Sequence, residues 1–117
     1  MKVSSKVHGI LDYASVLFLL LSPTLFGLPE VTSYFTYALG GIHLVLTALT
    51  KFELGIIKVI PLKVHGFIEA IVAVALVAVA FYFDSIEGTI ARNFYLAFAG
   101  VLAGLWFLTE YKVKSSD

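Results

Sequence analysis

Lys6-Val7-His8-Gly9-Ile10-Leu11-Asp12 returns later in the chain as Lys63-Val64-His65-Gly66-Phe67-Ile68-Glu69. Each copy opens a long apolar run. Each sets a histidine and a carboxylate at i and i+4, a spacing that stacks both side chains on one helix face, about one turn apart. The copies align at an offset of 57 residues. The stretches behind them align at an offset of 59, with Phe35 on Phe94, Ala38 on Ala97, Gly41 on Gly100, Leu49 on Leu108 and Thr50 on Thr109. Two extra residues in the turn of the second repeat explain the change of offset. The chain therefore reads as one domain, 1–117, made of tandem repeats at about 1–53 and 58–112.

The solvent of these repeats follows from composition. Of 117 residues 60% are hydrophobic, and the mean hydropathy is +0.97. Soluble domains hold roughly 45–50% apolar residues, and a small domain has too much surface to hide more. Lipid is the expected surrounding. Four apolar stretches run from about Ser5 to Ser22 or a little beyond, Ser33 to Thr50, Leu62 to Phe83 and Ile90 to Tyr111. Each is near the roughly 20 residues a helix needs to cross a hydrocarbon core. A helix satisfies its own backbone there, and no alternating strand series suits a barrel. The expected fold class is all-α: a four-helix transmembrane bundle made of two tandem helical-hairpin repeats. The first stretch is not read as a signal peptide, because it contains His8 and Asp12 and returns as a structural helix.

The breaks between stretches are marked by local chemistry. Pro23 is expected to end or kink the first helix. Leu28-Pro29-Glu30 reads as a turn, with Thr32 or Ser33 as N-cap of the second helix. Lys51 to Pro61 mixes apolar and charged residues and reads as a segment lying on the membrane surface. Asp84 to Thr89 reads as a short polar turn, and 112–117 as a polar, frayed tail.

With two crossings per repeat, both repeats share one orientation, related by a pseudo-two-fold axis along the membrane normal. His8, Asp12, His65 and Glu69 then lie at similar depth. The face holding the N-terminus, the central connection and the C-terminus carries Lys2, Lys6, Lys51, Lys58, Lys63, Lys112 and Lys114, against Arg92 alone on the other. Positive charge marks the cytoplasmic side, so both termini are expected in the cytoplasm of a cell with an inner (plasma) membrane. The stretch Leu21-Ser22-Pro23-Thr24-Leu25-Phe26-Gly27-Leu28, after His8-Gly9-Ile10-Leu11-Asp12-Tyr13, resembles the SPW-repeat family of small bacterial membrane proteins, with Thr24 in place of tryptophan and Ala78-Val79-Ala80 where the second repeat would carry Ser-Pro. That resemblance implies tandem transmembrane hairpins and carries no assigned reaction. The layout is also similar, in topology, to DoxX-type membrane proteins.

Within membrane-depth sequence the ionisable residues are His8, Asp12, His43, His65 and Glu69. Charged groups there cost roughly 2.5–3.5 kcal/mol each on insertion scales and normally face the bundle interior with partners. His43 lies about 10 Å inside the same membrane face at about 1.5 Å per residue, so three histidines and two carboxylates converge on one layer. Imidazole and carboxylate suit zinc, iron or manganese, which makes these five residues a candidate divalent metal site. The i,i+4 pairing departs from the i,i+3 pairing of helix-bundle carboxylate metal sites. A purely structural hydrogen-bonded network is the plainest reading of the same residues. A proton relay serving a proton-coupled carrier, or a membrane metalloenzyme or redox protein, are the others. A bis-histidine haem through His8 and His65 ranks below them, because both sit shallow in the membrane.

The remaining features point to packing. Gly40, Gly41, Ala97, Gly100 and Gly104 form small-residue faces for helix contact or a homo-oligomer. No cysteine is present, which excludes disulfides and thiolate chemistry. The zero net charge and the absence of phosphate loop, nucleophile elbow or basic patch exclude nucleic acid and point to no catalytic residue.

Overall fold

The computed structural model describes residues 2–109 and Tyr111. The lysines at 112 and 114 and the rest of the polar tail lie outside the described residues. Among the described residues there are four helices: α1 (Ser5–Phe26), α2 (Glu30–Ala48), α3 (Leu62–Glu87) and α4 (Thr89–Leu108). Helices α1 and α2 pack as one hairpin, α3 and α4 as the second, and packing is denser within each hairpin than between them. The fold is the expected all-α bundle of two hairpins. By length and composition α1, α3 and α4 can cross a membrane. Helix α2, with its run of threonine, serine, glycine and histidine, is not among them. Large apolar side chains such as Leu17, Ile42, Val74 and Phe107 point outward along the bundle. Water would not tolerate so continuous an apolar surface, but lipid does.

Helix α1 starts where the Ser4 side chain accepts from the Val7 N–H at 3.2 Å, an N-cap satisfying an orphan donor. Pro23 does not stop it. The helix runs through Pro23 to Phe26 and closes at Gly27, whose φ of 58° is left-handed and whose N–H reaches the Pro23 carbonyl. A proline removes one hydrogen bond, and in a packed membrane helix that loss is local. Helix α2 likewise begins earlier than expected, at Glu30, with Pro29 at its N-cap position. Pro29 offers no side-chain acceptor. Glu87, from the far end of α3, replaces it: its carboxylate accepts from the N–H groups of Val31 and Thr32 at 2.8 and 2.6 Å and from the Thr32 hydroxyl at 2.6 Å. The polar stretch after Asp84 is therefore helical through Glu87, and only Gly88, at φ 98°, separates α3 from α4.

The connection from Thr50 to Pro61 contains two short strands, β1 (Thr50–Lys51) and β2 (Ile60–Pro61), paired parallel. It closes the end of α2. Ile56 and Ile57 donate to the Ala48 carbonyl, and Val59 and Ile60 to that of Leu49, so carbonyls left orphan by the helix end find donors. Ile56, Ile57 and Val59 are exposed, while Phe52 is 2% exposed and turns inward.

The two repeats coincide in burial. In α1 the inward face is Ser5, His8, Gly9, Asp12, Val16, Leu19 and Pro23; in α3 it is Leu62, His65, Gly66, Glu69, Ala73, Leu76 and Ala80. Thr32, Thr36 and Gly40 of α2 match Ala91, Tyr95 and Ala99 of α4. The equivalent residues Thr36 and Tyr95 share a buried hydrogen bond across the seam between hairpins. The packed core, including Leu19, Leu76, Phe83, Tyr95 and Phe98, fills one half of the bundle. The ionisable cluster fills the other.

Candidate metal centre

Gly9 and Gly66 follow the two histidines for a steric reason. A Cβ on Gly9 would enter the ring of Phe52, and one on Gly66 would lie 2.7–2.9 Å from the ring of Tyr111. Phe52 and Tyr111 occupy equivalent places, two residues beyond Thr50 and Thr109. Each ring also faces the other hairpin's histidine: Tyr111 lies 5.4 Å from His8 and Phe52 6.4 Å from His65, centroid to centroid. Together they close the cluster from the side of the connecting loop. Ser5 donates to both oxygens of Glu53 at 2.8 and 2.9 Å, and Tyr13 to the Leu54 carbonyl at 2.9 Å, which pins that loop to α1.

Beneath this cover, His8, Asp12, His65 and Glu69 are each 0–1% exposed. One ligand-type atom from each falls within 4.8 Å of the others. His8 Nε2 lies 3.1 Å from Asp12 Oδ2 and 2.8 Å from Glu69 Oε1. His65 Nε2 lies 3.0 Å from Asp12 Oδ2 and 3.4 Å from Glu69 Oε2. Each histidine thus faces its own i+4 carboxylate and that of the other repeat. His43, half-buried on α2, reaches Asp12 Oδ1 at 3.5 Å from the edge of the group.

The other ring nitrogens decide the tautomer. His8 Nδ1 is 2.6 Å from Thr109 Oγ1, and His65 Nδ1 is 2.7 Å from Thr50 Oγ1. Each threonine hydroxyl gives its one proton to the carbonyl four residues back, Leu105 for Thr109 and Leu46 for Thr50. It therefore accepts from the imidazole, and Nδ1 carries the hydrogen. The bonds cross: the histidine of each repeat is held by the threonine of the other. Backbone pairing follows the same crossing, with Val3 N–H on the Leu108 carbonyl and Ile60 N–H on the Leu49 carbonyl, both at 2.8 Å.

With Nδ1 engaged, Nε2 of each ring points into the cluster. Despite the short separations, neither Nε2 is aligned in a hydrogen bond, nor are both Asp12 oxygens, Glu69 Oε2 and His43 Nε2. Glu69 Oε1 accepts from the Tyr111 hydroxyl at 3.0 Å. The centre is thus a set of buried ring nitrogens and carboxylate oxygens turned on one another. A buried arrangement of this kind is stable only with positive charge among its members.

All five residues expected in the site come close, four in one tight group and His43 beside it. Thr50, Thr109, Phe52 and Tyr111 were not singled out as site residues. The repeat did align Thr50 with Thr109, and a hydroxyl repeated at both hairpin ends was the signal. No family model, characterised protein or solved structure matches the chain.

Proposed function

We propose that the protein is a small integral membrane protein that holds one divalent metal ion between its two hairpins, with His8, Asp12, His65 and Glu69 as ligands and His43 in reserve at the rim. One observation carries this reading. Two imidazoles with their Nδ1 hydrogens fixed on threonines turn their Nε2 atoms toward two buried carboxylates, and neither of these Nε2 atoms is aligned in a hydrogen bond. Orienting a metal-binding histidine through its far nitrogen is the usual device of metal sites. The N···O separations of 2.8–3.4 Å are close to the edge, about 3.3 Å, of a tetrahedron with zinc–ligand bonds of about 2.0–2.1 Å. Zinc suits this donor set, and ferrous iron or manganese also accept it.

The lysines around the N-terminus and the central connection support a cytoplasmic position for the site, in the inner leaflet of a plasma membrane. The buried Ser22-Pro23 pair within a tandem-hairpin layout supports kinship with SPW-repeat proteins. Gly41, Gly100 and Gly104, whose Cβ positions meet nothing within 4 Å, support an outward face open to a second copy.

Elemental analysis of detergent-purified protein tests the function, beside the double variant His8→Ala/His65→Ala. The expected result is one equivalent of metal in the parent chain and none in the variant. A parent chain that takes up no zinc, iron or manganese on reconstitution overturns it and leaves a structural network.

A further inference from the structure

The pseudo-symmetry of the hairpins makes two equivalent clefts, one between α1 and α4 and one between α2 and α3. They have diverged. The α1–α4 cleft is a wide groove of about 600 Å³ with no cluster residue in its wall. The α2–α3 cleft is a pocket of about 50 Å³ whose wall includes Glu69 and His43. Where the narrow pocket has His43, the equivalent position in α4 is Leu102. Where it has Val72, the wide groove has Ser15.

We infer that the α2–α3 pocket is a ligand subsite beside the four protein ligands, where an ion that accepts a further ligand, as ferrous iron does and tetrahedral zinc does not, would take a neutral diatomic molecule arriving through the lipid. This rests on the metal reading above. Three observations select the occupant. About 50 Å³ exceeds the roughly 10–15 Å³ that a single water needs and falls far below the roughly 300 Å³ at which organic ligand sites begin. Apart from Glu69 and His43 the wall is apolar, through Leu39, Ile42, Ile68 and Val72 with Leu19, Phe98 and Leu102 behind them, so a charged ligand would lose its hydration without compensation. The only ionisable groups on it are Glu69 and His43, and Glu69 Oε2 and His43 Nε2 are both buried without a hydrogen-bond partner. The pocket begins at the seam between hairpins, where Ile42 is 67% exposed to the surrounding lipid, and ends on a metal ligand. A small apolar molecule concentrated in the bilayer can enter this pocket without losing hydration, and an anion cannot.

The test uses the full chain in detergent, loaded with ferrous iron without oxygen and treated with nitric oxide, alone or after azide. The expected result is a ferrous-nitrosyl EPR signal with nitric oxide that is undiminished when azide is added first, because ferrous iron is silent with or without azide and azide binding reads out only as loss of the nitrosyl signal. Val72→Phe and Leu39→Phe, each filling the pocket, keep their iron and lose the nitrosyl signal at least about tenfold, while Ser15→Phe in the opposite groove keeps it. If one filling variant does not fold, the other and the comparison of nitric oxide with azide still decide. Iron bound without a nitrosyl signal, azide binding as readily as nitric oxide, or full signal in the filled variants overturns the subsite alone. Failure to bind iron or any divalent metal overturns both it and the metal site.

Discussion

Thr109→Val removes one oxygen and keeps the side-chain shape. Thr109 is 7% exposed and accepts from His8 Nδ1 at 2.6 Å, so nothing else replaces that acceptor. With metal bound at Nε2, the hydrogen must stay on Nδ1, where it becomes a buried donor without a partner, at a cost of about 1–3 kcal/mol. Without metal the imidazole escapes this cost by moving the hydrogen to Nε2, toward the carboxylates. The penalty therefore falls on the metal-bound state and reads out as affinity. Loss of such an outer partner weakens metal binding about 10–100-fold, or about 1.4–2.8 kcal/mol. Competition with a chelator of known affinity measures it. Thr50→Val is expected to give the same loss through His65, and Thr109→Ser, which restores a hydroxyl, to recover most of it. Metal affinity within about twofold of the parent in both valine variants, with a lower Tm in metal-free and loaded protein alike, would refute the tautomer argument, because outer-shell partners of real ligands do not behave so.

Other outcomes follow from other contacts. Glu87→Ala leaves the first turn of α2 without its borrowed cap and is expected to lower the unfolding midpoint with unchanged metal content. Gly66→Ala drives a methyl into the Tyr111 ring and is expected to destabilise by about 1–3 kcal/mol, whereas Gly104→Ala, in open space, is neutral or slightly stabilising in the same thermal assay. Tyr111→Phe removes one donor to Glu69 and is expected to lower stability by about 1 kcal/mol while keeping one equivalent of metal. Asp12→Ala leaves two buried imidazoles with a single carboxylate. It is expected to abolish metal binding and cost about 3–5 kcal/mol, measured by elemental analysis and thermal unfolding side by side.

The centre of the fold was legible because it is repeated. His8 with Asp12 and His65 with Glu69 are polar where everything around is apolar, and the i,i+4 spacing turned a sequence coincidence into a shared face. What lay at the hairpin ends was harder to see. Thr50 and Thr109 are ordinary helix-end residues until a histidine from the other repeat meets them, and Phe52 looked like part of an interfacial segment. Local rules misled at the breaks. Asp84 signals an end, yet α3 continues to Glu87, which has a partner in α2, while Pro23, expected to end or kink α1, leaves it helical to Phe26. The length of α2 was clear, but its threonines, spent on back-bonding and on the seam at Thr36, make it less apolar than the other three.

The crossed histidine–threonine bonds also bear on ancestry. One hairpin alone carries a histidine, an acidic residue and a threonine, and its histidine cannot be held by its own threonine. Two copies of such a hairpin, placed about a two-fold axis, complete each other and present two histidines and two carboxylates at their centre. Joining the copies in one chain lets them differ: Asp12 stands where the other repeat has Glu69, Phe52 where it has Tyr111, and His43 where it has Leu102. Duplication of a dimerising unit is thus enough to account for a site that neither half contains.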